Sequence, residues 1–246
     1  MSSNPTPFDS RSAPSETPGT QISERRWRLT GDATQPLTGR SLLPGFWEVG
    51  ASIHDEIEGL TEEQLNWTSD RFDWSEWSIS RQTSHMASML YRWMLLRWGD
   101  QLFSEGPGLD KAQITALAAS DTDRALDENI FKSIDDITRA LDNGLALAQG
   151  SLDSHTVDQM RSMTIEAEQG PHWDLMINAH PTGIDRNRET GISVLTMEGT
   201  FRHMYFELIT HLFNIQRLKG AQGLEAATDL PRVGYYVLDG WDVSKA

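Results

Sequence analysis

In the stretch 197–218, MEGTFRHMYFELITHLFNIQRL, Phe201, Tyr205, Leu208, Leu212, Ile215 and Leu218 recur three or four apart. This is the recurrence of one face of an α-helix, and it predicts a helix over 197–218 that ends near Gly220. Polar residues intrude on that face. Glu207 sits between Phe206 and Leu208, and a carboxylate next to a buried stripe must be paired, protonated or bound to a metal. His211 follows at i+4, about 40° away around the helix. One ion can therefore be addressed by both side chains.

Three further amphipathic segments precede this one. Residues 43–60 set Leu43, Phe46, Trp47, Ile53, Ile57 and Leu60 against Asp55, Glu56 and Glu58, with Pro44 in the first turn. Residues 79–98 begin after Ser78 or Ser80 as a cap and carry Ile79, His85, Met86, Met89, Leu90, Trp93, Met94 and Leu96. Residues 128–149 carry Ile130, Phe131, Ile134, Ile137, Leu141, Leu145 and Leu147, with Gly150 as the stop. Thr61 and Gln64 form a capping signature ahead of the Trp-rich loop 66–78, and a short helix is expected over 112–119. Four long amphipathic helices with long connections predict an all-α protein built as a four-helix bundle, whose metal sites come from facing helices.

The remaining segments are organised around that bundle. Residues 1–22 are rich in Ser, Pro and Thr and cannot bury enough surface to offset ordering, so a disordered tail is expected. Trp27 and Leu29 would pin an arm between 26 and 39. Residues 23–246 are expected to be a single domain. Within it, 151–195 is read as an irregular insertion able to cover a site, with Trp173, Leu175 and Ile177 alternating like a short strand and 183–191 as a loop. The aromatic tail over 229–246 is expected to fold back over the bundle.

A net charge of -15 opposes binding to nucleic acid or to an anionic membrane surface and favours a small-molecule substrate. The absence of cysteine excludes disulfides, thiolate ligands and a cysteine nucleophile, so any thiol would come from a co-substrate. No run of about 18 apolar residues and no basic-then-apolar leader occurs; a cytoplasmic protein is expected.

His85, Glu207 and His211 are the candidate metal ligands, with positions left open for substrate as a catalytic site requires. Two imidazoles and a carboxylate suit zinc first; iron, nickel and manganese accept the same set. The rival readings are a hydrogen-bonded core histidine for His85 and a solvated i, i+4 pair for Glu207 and His211. His203, one turn before Glu207, lies about 12 Å along the axis from His211 and is expected to act behind the ligands or on substrate. His54 could face the same cavity. Trp74 and Trp77 are candidates to wall a pocket for an apolar or aromatic molecule, while Trp93 and Trp98 fit core or interface positions. His172 and His180 are read as loop histidines, and His155 carries no functional reading.

Two motifs carry a resemblance. WSISRQTSH, residues 77–85, and ELITHLFNIQRL, residues 207–218, together resemble the DinB-like family of metalloenzymes, which includes thiol-dependent S-transferases and mycothiol-dependent maleylpyruvate isomerases. The resemblance spans roughly 43–220. Many members have histidine where this chain has Glu207, whereas the isomerase branch uses a His, Glu, His set. It implies a DinB-like bundle, a metal on His85, Glu207 and His211, and a metal-activated thiol or water acting in transfer or isomerisation. A non-haem Fe(II) oxygenase or sulfur-oxidising enzyme would use the same three ligands. A non-enzymatic bundle with a protein partner is the third reading, and a homodimer paired through the Trp- and Met-rich second helix fits any of them.

Overall fold

The computed structural model describes residues 36–120 and 124–246. The tail expected over 1–22 and the arm with Trp27 and Leu29 lie outside the described residues. Four helices make the core: α1 (Val49–Ile57), α2 (Ile79–Tyr91), α3 (Ile134–Ser154) and α4 (Met197–Ala221). Both α3 and α4 pack on α1 and on α2. Their inward residues, Ile53, Met86, Leu90, Leu141, Phe201, Leu208, Leu212 and Ile215, are fully buried. The apolar stripes read from the sequence mostly face this core, with Leu96 and Ile130 exposed instead.

Three of the four core helices start where a side chain can satisfy free N–H groups. Ser78 accepts from the Arg81 N–H at the start of α2, Ser133 from Asp136 at α3, and Thr196 from Gly199 at α4. Thr61 and Gln64 close a reciprocal capping box ahead of the Trp-rich loop. The caps also correct the expected boundaries. Helix α3 begins at Ile134 rather than 128 because Ser133 is the cap, and Ile130, outside the helix, is 58% exposed. The first expected helix is a 3₁₀ turn, Pro44–Trp47, followed by α1. Close approach of α2 and α3 is permitted by Gly144, where a Cβ would lie 3.3 Å from Leu90, and Tyr91 donates across the contact to the Ala140 carbonyl at 2.9 Å.

Four expectations are corrected. The helix predicted through Trp98 is α-helical only to Tyr91; Arg92–Arg97 form a π-helical turn, in which the Trp98 N–H reaches back five residues to the Trp93 carbonyl at 3.0 Å. The protein is also mainly helical rather than all-α. Segment 151–195 holds an antiparallel sheet of β1 (Thr164–Glu168), β2 (Ile184–Arg186) and β3 (Ile192–Thr196), with β3 central. Ala167, Ile184, Ser193 and Leu195 are buried on its inner face. The expected loop 183–191 contains β2 and a turn in which Asn187 accepts from the N–H groups of Glu189 and Thr190. The expected strand at 173–177 is instead a short helix, Trp173–Met176. Trp173 and Met176, three apart, are its buried pair, and that spacing is helical. Residues Pro36–Ala246 form one compact unit. Among the described residues no helix is long and apolar enough to cross a membrane.

Glu56, expected on the polar side of the first helix, is fully buried. It accepts from Lys219 Nζ at 2.6 Å, Gln216 Nε2 at 2.7 Å, the Thr228 hydroxyl at 3.0 Å and the N–H groups of Ala227 and Thr228. Burial pushes its pKa up, but Lys219 and the other donors outweigh that and lower it below the ordinary value of 4.5. Glu56→Ala removes one partner of a buried ion pair and is expected to cost about 3–5 kcal/mol in urea unfolding; a loss below about 1 kcal/mol would contradict this account. Because the folded-state pKa is lowered, the stabilisation is present above the unfolded value of 4.5 and declines as pH falls through the folded value. That part of the acid dependence should vanish in Glu56→Gln.

Candidate metal centre

Helix α4 supplies Glu207 and His211 one turn apart, and α2 brings His85 against them. A donor atom from each of the three lies within 4.8 Å of the other two. The His211 Nε2 is 3.1 Å and the His85 Nε2 4.0 Å from the same carboxylate oxygen, Glu207 Oε2. Donors bound at about 2.0–2.2 Å to one ion sit roughly 3.0–3.6 Å apart. The observed spacings bracket that range.

Hydrogen bonding prepares the donors. Gln82 lies three residues before His85 on α2, and its carbonyl oxygen accepts from His211 Nδ1 at 2.5 Å. The Nε2 of His211 is thereby turned to Glu207, the arrangement by which a ligand histidine is oriented from behind. His85 Nδ1 is buried with no hydrogen-bond partner among the described residues, a state that costs about 1–3 kcal/mol and is rare in native interiors. The Trp77 ring closes one side, 5.0 Å from the His85 ring and stacked 6.2 Å from His211.

The protonation states of the candidate ligands suit a metal. Burial holds His85 well below its ordinary pKa, and the neighbouring His211, Arg92 and Arg124 act in the same direction. Burial works against ionisation of Glu207, but the close contact with His211 and the other surrounding imidazoles outweighs it and holds the carboxyl far below the usual range. A carboxylate and a neutral imidazole are the protonation states that bind metals.

A cavity of about 250 Å³ opens on His85 and Glu207 and is bounded by Met89, Trp93, Trp173, His172 and His203, with Arg92, Arg97 and Arg124 around it. A larger cavity of about 840 Å³ between α2 and the start of α3 contains none of the three candidate ligands.

The other candidates divide. His203 is buried at the cavity and does not join the three donors; its Nδ1 meets the Tyr235 hydroxyl at 2.6 Å. Tyr235 meets His180 Nε2 at 2.7 Å. A phenol has one proton, so it donates to one imidazole and accepts from the other, which makes His180, Tyr235 and His203 one ordered chain. Burial lowers His203 to about 4 and His180 to about 3, leaving both neutral at pH 7. His180 lies in a loop, as expected, but is buried and not a surface histidine. His54 does not reach the cavity; it is exposed and paired with Asp142 at 2.8 Å. Trp74 is also removed from the site, because its ring stacks on Phe72, lies under Arg217 and bonds Ser244. Trp77 remains. Trp93 walls the cavity, while Trp98 is core, donating to Thr200 at 3.3 Å. His155 caps the end of α3 through the Ser151 carbonyl.

Gln82, Tyr235, Trp173 and the three arginines were not singled out by sequence for this site. Gln82 carried one signal, its position one turn before His85. Compared with protein-family profiles, curated proteins and solved structures, the chain has no significant match.

Gln82→Ala is expected to weaken metal affinity about 10–100-fold in a chelator-competition titration without unfolding the protein; unchanged affinity would mean that this bond does not hold His211. Tyr235→Phe removes the hydrogen bond to both His180 and His203 and is expected to lower unfolding stability by about 1–3 kcal/mol.

Proposed function

We propose that this chain is a divalent-metal-dependent enzyme of the DinB-like kind, a four-helix bundle that transfers or isomerises a small organic molecule with a thiol or water as nucleophile. The observation that carries the reading is the convergence of His85, Glu207 and His211 from two core helices onto a space one ion would fill. The order of the motifs, Trp77-Ser78 before His85 and Glu207 four before His211, supports the DinB-like assignment. Zinc is the first choice because two histidines and a carboxylate with open positions are a catalytic zinc set; iron, nickel and manganese share it.

When bound, such an ion acts as a Lewis acid and makes a thiol or water nucleophilic at neutral pH. The rest falls to the chain. Gln82 fixes the tautomer of His211. Tyr235 engages His203 Nδ1, which leaves His203 Nε2 as the ring atom able to accept or donate a proton in the cavity. Trp77 shields the two ligand imidazoles from solvent. With no cysteine in the chain, a thiol nucleophile would arrive as a small co-substrate.

Elemental analysis of protein purified without a histidine tag is expected to find about one equivalent of a divalent transition metal, lost in His211→Ala and in Glu207→Gln. No metal in the wild type, even after reconstitution, would remove the enzyme reading and leave a structural bundle. Bound iron with oxygen-dependent turnover would move the reading to an Fe(II) oxygenase, which has the same ligands.

A further inference from the structure

We infer that the cavity beside the candidate metal ligands binds a small organic oxyanion, a carboxylate or phosphate group held by Arg92, Arg97 and Arg124 with its apolar body against Trp93 and Trp173. All five residues line the same space of about 250 Å³ as His85 and Glu207. The chain has 36 acidic and 21 basic residues, so three guanidinium groups around one small cavity run against the charge of the whole. Guanidinium is the side chain suited to two-point binding of a carboxylate or phosphate.

The backbone is shaped to gather them. Residues five apart on an α-helix point about 140° from each other. The π-helical turn Arg92–Arg97 widens the helix by one residue, which brings its first and last residues towards the same side, and such turns recur at functional sites. Arg124 arrives from a different segment. Its φ of 63° makes it the one non-glycine residue at positive φ among the described residues, a conformation that costs energy and collects where a side chain must be aimed. Glu168 also lines the cavity. A space this small, at the low end of ligand pockets, admits a small acid and excludes a polymer.

The inference rests on the metal-enzyme reading only for what the anion would do there; its binding is measurable on metal-free protein. Trp93 and Trp173 give the readout. Chelator-treated protein is titrated with succinate, with inorganic phosphate and with neutral succinamide while tryptophan fluorescence is followed. A saturable response to succinate or phosphate is expected, absent with succinamide, weakened about tenfold or more in Arg97→Ala and in Arg124→Ala, and falling as salt rises. The tighter of the two anions identifies carboxylate or phosphate as the source. Both arginines are exposed, so circular dichroism of the variants should match the wild type. Absence of a saturable response to either anion, or equal affinity in the Arg97→Ala/Arg124→Ala protein, would overturn the inference. His211→Ala keeps the two readings apart, since it should lose metal and retain the anion response.

Discussion

A carboxylate set into a helical core must be compensated, and helix α4 helps to meet that demand twice in different ways. At its C-terminal end it helps to enclose Glu56, which collects donors from Lys219, Gln216, Ala227 and Thr228 until its oxygens are saturated. Further up, α4 carries Glu207, whose neighbours among the described residues are His211 at 3.1 Å and His85 at 4.0 Å. The first is a closed structural ion pair. The second keeps lone pairs directed at two imidazoles, and the group that completes such a set is a cation.

The rest of the structure holds that pair of helices in place. Strand β3 runs directly into α4 through the Thr196 cap, so the small sheet fixes where α4 begins. Arg186 on β2 bonds Asp174 and the carbonyls of Gly170 and Gly191, tying the sheet to the short helix that presents Trp173. The C-terminal segment returns through Tyr235, which is buried between His180 and His203. A segment that reads as an irregular insertion is thus part of the cavity wall.

The helices were legible because their burial is one-sided: the stripe from Phe201 to Leu218 has only one face it can bury. The clustering of His85, Glu207 and His211 was legible for a related reason, since Glu207 broke that stripe and His211 stood one turn away. The sheet was not, because β2 has three residues, too few for alternation to separate from chance. The short helix at 173 was missed because Trp173, Leu175 and Ile177 alternate as a strand does, while Trp173 and Met176 have helical spacing. Glu56 was misplaced because a charge on an amphipathic helix defaults to solvent, and its partners lie about 160 residues or more away. Trp74 and His54 have the same cause: residue type named a role, while Arg217 and Asp142, distant in sequence, decided their positions.

X-ray absorption at the edge of the bound metal tests the central claim most directly. The account predicts one ion with two imidazole nitrogens and one carboxylate oxygen at about 2.0–2.2 Å, and loss of that shell in Glu207→Gln. A shell of solvent oxygens alone, or a spectrum unchanged by that substitution, would contradict it.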